Sequence, residues 1–293
     1  MDGRYTDTAL PAPPDTGCDN VCVAATLKRP RVILYLIIPP MVICITCSHF
    51  WAVMNRDVHY FLPYISDAGG DPPQSAVFGV GLIIASIGCM GLFCMRYIMV
   101  LDLNTEKRRS IAFLNYLVFL CGIAIFFGIV MVAVNPTGHL RRDGTWLQPI
   151  FVSHVTGASM SFFGGIGYLS GNSALTFLLL PKLNNVRIAY LRLGLTVIDI
   201  VACSITGVKF PKNMLTMKPH PHKPRTYPEG TLYSILGEWV MLITVLIYLY
   251  TMRDEMDRST LVVGLNNTRY AIGDRSDAQL AADASRVPAT DTA

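Results

Sequence analysis

Ionisable side chains in apolar surroundings are the chemically informative residues of this chain. His49, His154, Asp199 and Glu238 each stand inside a long hydrophobic run, as do Arg96 and Arg192. A charge near the centre of a bilayer costs roughly 2.5–3.5 kcal/mol on insertion scales, so such residues pair, line a cavity or relay protons. His49 lies near the end of the first run and His154 just inside the start of the fourth. Glu238 is within two turns of the start of the sixth, and Asp199 is near mid-depth of the fifth. All four therefore fall in one half of the membrane or at its middle. Two readings stand. Either the acids pair with His154 or with hydroxyls and fix helix packing, or the four residues form a polar pocket. Such a pocket would take a lipid headgroup or act as a proton-sensitive switch, because histidine titrates near the pH of acidic compartments. Arg96 and Arg192 sit towards the other ends of their runs, where long side chains are expected to reach back to the interface.

Catalysis finds little support. A membrane hydrolase needs a nucleophile with a base, or a metal set. No H-E-x-x-H or G-x-S-x-G stretch occurs, nor two C-x-x-C units. His220 and His222, two residues apart, fall well short of a zinc site. Asp67 and Asp71 lack the ligand spacing of a calcium loop. The chain reads as non-enzymatic, with no metal and no cofactor. Its formal charge of +4, without a long basic stripe, makes no case for nucleic acid.

These residues must be held by membrane-spanning helices. The 293-residue chain is 52% hydrophobic and 15% charged, against about 25% charged in a soluble domain. Its charges gather at the ends and in short islands between apolar runs, each long enough to cross a hydrocarbon core of ~30 Å. Six spans are predicted: Val32–Val53, Ala76–Leu101, Ile111–Val134, Ile150–Leu180, Ile188–Val208 and Leu232–Met252. The fold class is all-α, a polytopic bundle of six transmembrane helices. Residues 1–31 and 253–293 read as disordered tails around a membrane domain at 32–252, because neither tail can bury a core. The first run has no small-residue cleavage motif after it and reads as a retained helix.

An even number of spans puts both tails on one side. Lys28, Arg29 and Arg31, then Lys107, Arg108 and Arg109, then Lys182, Arg187 and Arg192, then Arg253 and Arg258, all fall on that side. The positive-inside rule makes it cytosolic. The basic fifth loop (Lys209, Lys212, Lys218, Lys223, Arg225) runs against the rule, and nothing in the sequence explains it. With a cytosolic C-terminal tail, the acceptor triplet Asn266-Asn267-Thr268 should stay unglycosylated.

Local signals add detail. Pro39 and Pro40 inside the first span predict a kink facing protein, where neighbours re-satisfy the freed carbonyls. In the fourth span Gly157, Ser161 and Gly165 repeat every four residues, and Gly167 and Gly171 form a G-x-x-x-G unit. Small residues so spaced let helix backbones approach closely. The loop between the first two spans, Pro63-Tyr64-Ile65-Ser66-Asp67-Ala68-Gly69-Gly70-Asp71-Pro72-Pro73, reads as a cap over the polar residues. Its prolines stiffen it, and its glycines allow a turn with φ > 0. Either Asp67 and Asp71 join the pocket, or the loop only locks two helices together.

This loop, followed by Gln74-Ser75-Ala76-Val77-Phe78-Gly79, resembles the signature loop of the DRAM family, the damage-regulated autophagy modulators. His154, Gly157-Ala158, Phe162, Gly165 and Tyr168 match a second family pattern, and Glu238-Trp239 opens a third that closes at Asp254-Glu255. The resemblance implies a non-enzymatic protein of lysosomal, endosomal, Golgi or plasma membranes. The expected function is regulation of autophagy at lysosomal or endosomal membranes, with the lipid bilayer as its first partner. The alternative is a plasma-membrane scaffold for a phosphatidylinositol 4-kinase, with the kinase complex engaged through the tails, or a protein that organises membrane lipids.

Overall fold

The computed structural model describes residues 21–138, 147–210 and 230–266. His220 and His222, Arg141 and Arg142, most of the basic fifth loop and the acceptor triplet beyond Asn266 lie outside the described residues. The helices are α1 Ile33–Met54, α2 Ile65–Ala68, α3 Gln74–Leu103, α4 Arg109–Val134, α5 Gln148–Leu178, α6 Val186–Lys209, α7 Thr231–Tyr250 and α8 Arg253–Asp257. Six segments are long and apolar enough to cross a membrane, and they coincide with the six spans read from the sequence. Strand β1, Val21–Leu27, pairs antiparallel with β2, Leu261–Asn266. These strands fall within the segments expected to be structureless, and the rest of both tails lies outside the described residues. Each segment carries two valines, which suit an extended, paired backbone.

Close backbone contact organises the bundle. A Cβ on Gly157 of α5 would stand 2.6 Å from the Met131 Cβ and 2.8 Å from the Gly128 carbonyl oxygen of α4. One on Gly128 would stand 2.6 Å from the Gly157 carbonyl oxygen. Two turns on, Gly164 and Gly167 face Cys121, and Gly171 faces Val118. The stripe thus works as small residues do in membranes, where contact rather than hydrophobicity draws helices together. Gly165 is the exception. Nothing stands within 4 Å of its Cβ position, so it opens on a cavity and does not meet a helix. On the other side of the bundle, Gly81 and Gly88 of α3 lie against Cys44, Pro40 and Leu36 of α1. The proline pair therefore sits where a partner helix comes closest.

Away from the loop between α1 and α3, the bundle closes around one buried ion cluster. Arg96 (α3) and Arg192 (α6) do not reach back to an interface. Their side chains are 1% and 0% exposed, and both pair with Glu255 of α8, itself 1% exposed. Arg192 Nη1 donates to Glu255 Oε1 at 2.8 Å and Asn184 Nδ2 donates to the same oxygen at 2.8 Å, while Arg96 holds the other oxygen. Arg96 Nε also donates to Asn172 of α5 at 3.0 Å. Arg192 donates to Thr176 of α5 and to Thr251, and its guanidinium lies 5.6 Å from the Tyr248 ring. Residues 253–257 are therefore part of the membrane domain and not a free tail. A carboxylate that neutralises two buried guanidiniums cannot be left in solvent.

Two consequences are testable by thermal unfolding of purified protein. Glu255→Ala strands two buried arginines and should cost about 3–5 kcal/mol, enough to abolish a monodisperse fold. Gly157→Val forces a side chain into the α4 backbone and should cost about 1–3 kcal/mol.

Candidate functional site

The loop between α1 and α3 is built as a folded cap. Its single turn α2 places Ser66 and Asp67 inward. Gly69 lies against the Phe78 side chain, where any Cβ would clash. Neither Gly69 nor Gly70 has a positive φ, since Gly230 is the only described glycine that does. Space, not backbone conformation, is what demands glycine at Gly69. The loop is fastened from three directions. Trp239 Nε1 of α7 donates to the Pro63 carbonyl at 3.0 Å, and the Gly138 amide donates to the Gly70 carbonyl at 3.1 Å. Gln74 Nε2 donates to Asp57 at 2.6 Å, and Ser48 of α1 donates to the Gln74 carbonyl.

Beneath this cap lies a chamber of about 240 Å³. Its polar wall carries Glu238 from α7, His154 from α5, Asp67, Ser66 and Tyr64 from the cap, and Thr137 from the turn after α4. Each is anchored. Glu238 Oε2 accepts from the Ile65 amide at 3.0 Å, which ties α7 to the cap. His154 Nδ1 lies 2.7 Å from the Asn135 carbonyl. A carbonyl only accepts, so this nitrogen carries a proton. The Thr137 hydroxyl is 3.0 Å from Asp67 Oδ1. Burial, with the carboxylates of Glu238 and Asp67 nearby, pushes the Tyr64 hydroxyl up to about 12 despite a hydrogen bond with Ser234. Tyr64 therefore keeps its proton at any physiological pH.

A second chamber of about 190 Å³ continues into the bundle. It is apolar, lined by residues such as Met41, Phe78, Phe93, Ile129 and Leu242, and it ends near Tyr168 and Leu249. Ser66, His154, Ala158, Phe162 and Glu238 line both spaces, so they form the junction.

Of the four ionisable residues singled out in the sequence, two meet here. His49 lines neither chamber. Its ring stands edge-on to Trp239 at 6.2 Å, behind the α7–cap contact. Asp199 is buried on α6, one turn from Cys203, with no hydrogen bond to its Oδ1 among the described residues. Asp67 does reach the chamber and Asp71 does not. The loop is thus both lock and pocket wall. Thr137, Phe151, Thr206 and Phe210 also line the outer chamber and went unnoticed in the sequence. Only tertiary contact marks them, since none is unusual in its own segment. No cluster of metal-ligating side chains occurs among the described residues.

The architecture defines a polytopic helical membrane protein with an internal chamber, polar at one end and apolar at the other. Residues 30–259 match the family model described as the Frag1/DRAM/Sfk1/Cwh43P N-terminal domain, and the chain belongs to this family. It is similar to DNA damage-regulated autophagy modulator protein 2 of Rattus norvegicus, with 29% identity over 54% of this chain and 57% of the relative. It is also similar to DNA damage-regulated autophagy modulator protein 1 of Xenopus laevis, with 26% identity over 70% of this chain and 81% of the relative. Human Transmembrane protein 150A is 27% identical over 71% of this chain and 67% of its own length. The chain thus spans little more than half the length of the first of these relatives. No solved structure matches it.

The cap contacts give a direct prediction. Trp239→Phe keeps one aromatic ring but removes the donor to Pro63, and Thr137→Val removes the hydroxyl beside Asp67. Each should lower stability by about 0.5–1.5 kcal/mol in thermal unfolding, a net hydrogen bond's worth, with the helical content unchanged.

Proposed function

We propose that this integral membrane protein modulates autophagy from lysosomal or endosomal membranes, without catalysing a reaction, with both termini in the cytosol. The observation that carries the reading is the family match over residues 30–259, together with similarity to proteins named as autophagy modulators. The site geometry supports a binding role. Glu238 and His154 are held by the backbone groups of Ile65 and Asn135, an arrangement that fixes a wall rather than pairing a nucleophile with its base. The β1–β2 pairing and the Arg31–Asp257 ion pair at 2.8 Å support tails that share one side. The concentration of lysine and arginine on that side supports the cytosol.

A second reading, a plasma-membrane scaffold for a lipid kinase, draws on the same pairing, because paired terminal strands offer a partner one surface built from both tails. Imaging of a tagged chain separates the two. The first reading expects overlap with a lysosomal marker and altered autophagic flux on depletion. Confinement to the cell surface with unchanged flux would overturn it. The scaffold reading expects a phosphatidylinositol 4-kinase to leave the membrane when Leu261–Ala293 is removed, a truncation that spares Glu255.

A further inference from the structure

We infer that the inner, apolar chamber is a binding site for one hydrocarbon chain of a bilayer lipid. The proposal goes beyond the autophagy reading and does not depend on it. Helices α1, α3, α4, α5 and α7 all contribute side chains to this chamber. Its polar residues gather at the junction with the outer chamber, where Ser66, His154 and Glu238 stand. Deeper in, the Ser161 hydroxyl is spent on the Gly157 carbonyl at 3.0 Å. Apart from Gly165, the rest of the described wall is aliphatic, aromatic or sulfur-bearing, with Met41, Cys89, Ile125 and Met241 as examples. A water settles in a cavity only where about two to four polar partners receive it, and below the junction this wall does not offer them. Hydrocarbon is the filling that its chemistry suits.

Shape narrows the occupant. The wall runs along α7 from Glu238 to Leu249, about 16 Å at the helical rise of ~1.5 Å per residue. Over that length the chamber encloses only about 190 Å³. A long, narrow space suits a flexible chain better than a rigid fused-ring lipid. The far end is closed by Tyr168, whose ring centroid stands 4.6 Å from that of Phe93. One turn further, Asn172 donates to the Tyr168 carbonyl and accepts from Arg96, so the ion cluster floors the chamber. Between junction and floor lies Gly165. Nothing stands within 4 Å of its Cβ position, although Gly157, Gly164, Gly167 and Gly171 of the same helix each meet a neighbour. Interiors are close-packed, so a buried glycine that faces space gives room to something other than this chain's own side chains.

Entry is lateral. Phe163, near the middle of α5, lines the outer chamber yet is 70% exposed. Gly207 of α6 lines the same chamber, and nothing stands within 4 Å of its Cβ position. The outer chamber therefore opens towards hydrocarbon beside α5 and α6, and the shared junction leads a chain inwards from there. A ligand on this route already resides in the bilayer, so it gains little by leaving water. What it gains is dispersion contact with a shaped wall, the same force that holds membrane helices together.

The test uses full-length protein in phosphatidylcholine nanodiscs. These carry either a phosphatidylcholine or a free fatty acid with a mid-chain diazirine and a terminal alkyne. Light should attach the chain to chamber residues such as Ile129, Phe162 and Val245, as well as to the outward-facing Phe127 and Ile243. Chamber labelling by either probe supports the proposal, and the pair shows whether the chain belongs to a phospholipid or a free fatty acid. Gly165→Leu fills the chamber from a position whose Cβ meets no neighbour. It should cut chamber labelling at least about fivefold, the lower end of the cost of overpacking an interior, with Phe127 and Ile243 labelled as before. Gly194→Leu, where space is equally open but outside both chambers, should change neither. Labelling confined to outward-facing residues with both probes, or chamber labelling that survives in monodisperse Gly165→Leu protein, would overturn the proposal. If Gly165→Leu fails to fold, the residue map of the wild-type protein decides alone.

Discussion

Everything in this bundle is arranged around the need to neutralise two guanidiniums in a place without water. Arg96 and Arg192 enter from different helices, and Glu255 is the carboxylate that meets both. An isolated buried charge costs several kcal/mol even after the protein relaxes, so neither arginine tolerates a missing partner. Satisfying the pair draws together α3, α5, α6 and the end of α7, with Asn172, Asn184, Thr176 and Thr251 completing the hydrogen bonds. Such a cluster adds little net stability compared with a well-packed apolar one. Its value lies in register, because four helices must arrive at one depth for the charges to meet.

The other end of the bundle follows a different rule. There the Glu238 carboxylate accepts from the Ile65 amide and Asp67 from the Thr137 hydroxyl, and both line the chamber. One end is thus basic, dry and closed. The other is roomy, carries Asp67 and Glu238 among its described lining residues, and is covered by a cap fastened to α7 and to the turn after α4. The closed end fixes the register of helices whose other ends line the chamber. The Gly128–Gly157 contact between α4 and α5 does similar work, since helices in direct backbone contact hold their spacing without side chains filling the centre.

Much of this was legible in the sequence. The six spans follow from length and hydropathy alone, because a bilayer sets a minimum apolar run. The glycine spacing in α5 announced a close helix contact, and only Gly165 proved to face space instead of a neighbour. The cap was marked by its prolines and glycines, though Gly69 is required by the nearby Phe78 ring rather than by its φ. The reading of Arg96 and Arg192 as interface-seeking failed for a definite reason. A hydropathy window sees one residue's cost and not the partner that removes it. Glu255 looked like part of a polar tail because it follows the last apolar residue, and nothing local links it to arginines more than 60 positions away.

The sequence by itself determined that this chain crosses a membrane six times, which face of α5 is small, and that a stiff polar loop follows the first helix. These are properties of local composition, and water and hydrocarbon enforce them segment by segment. Tertiary structure alone decided which ionisable residues meet. His154, Glu238 and Asp67 share a chamber, while Asp199 and His49 stand apart, although all five looked alike as polar residues in or beside apolar runs. The physical reason is range. Partition into a bilayer is decided over about 20 neighbouring residues, whereas the meeting of charges depends on contacts between helices distant in sequence, which the fold of the whole bundle sets.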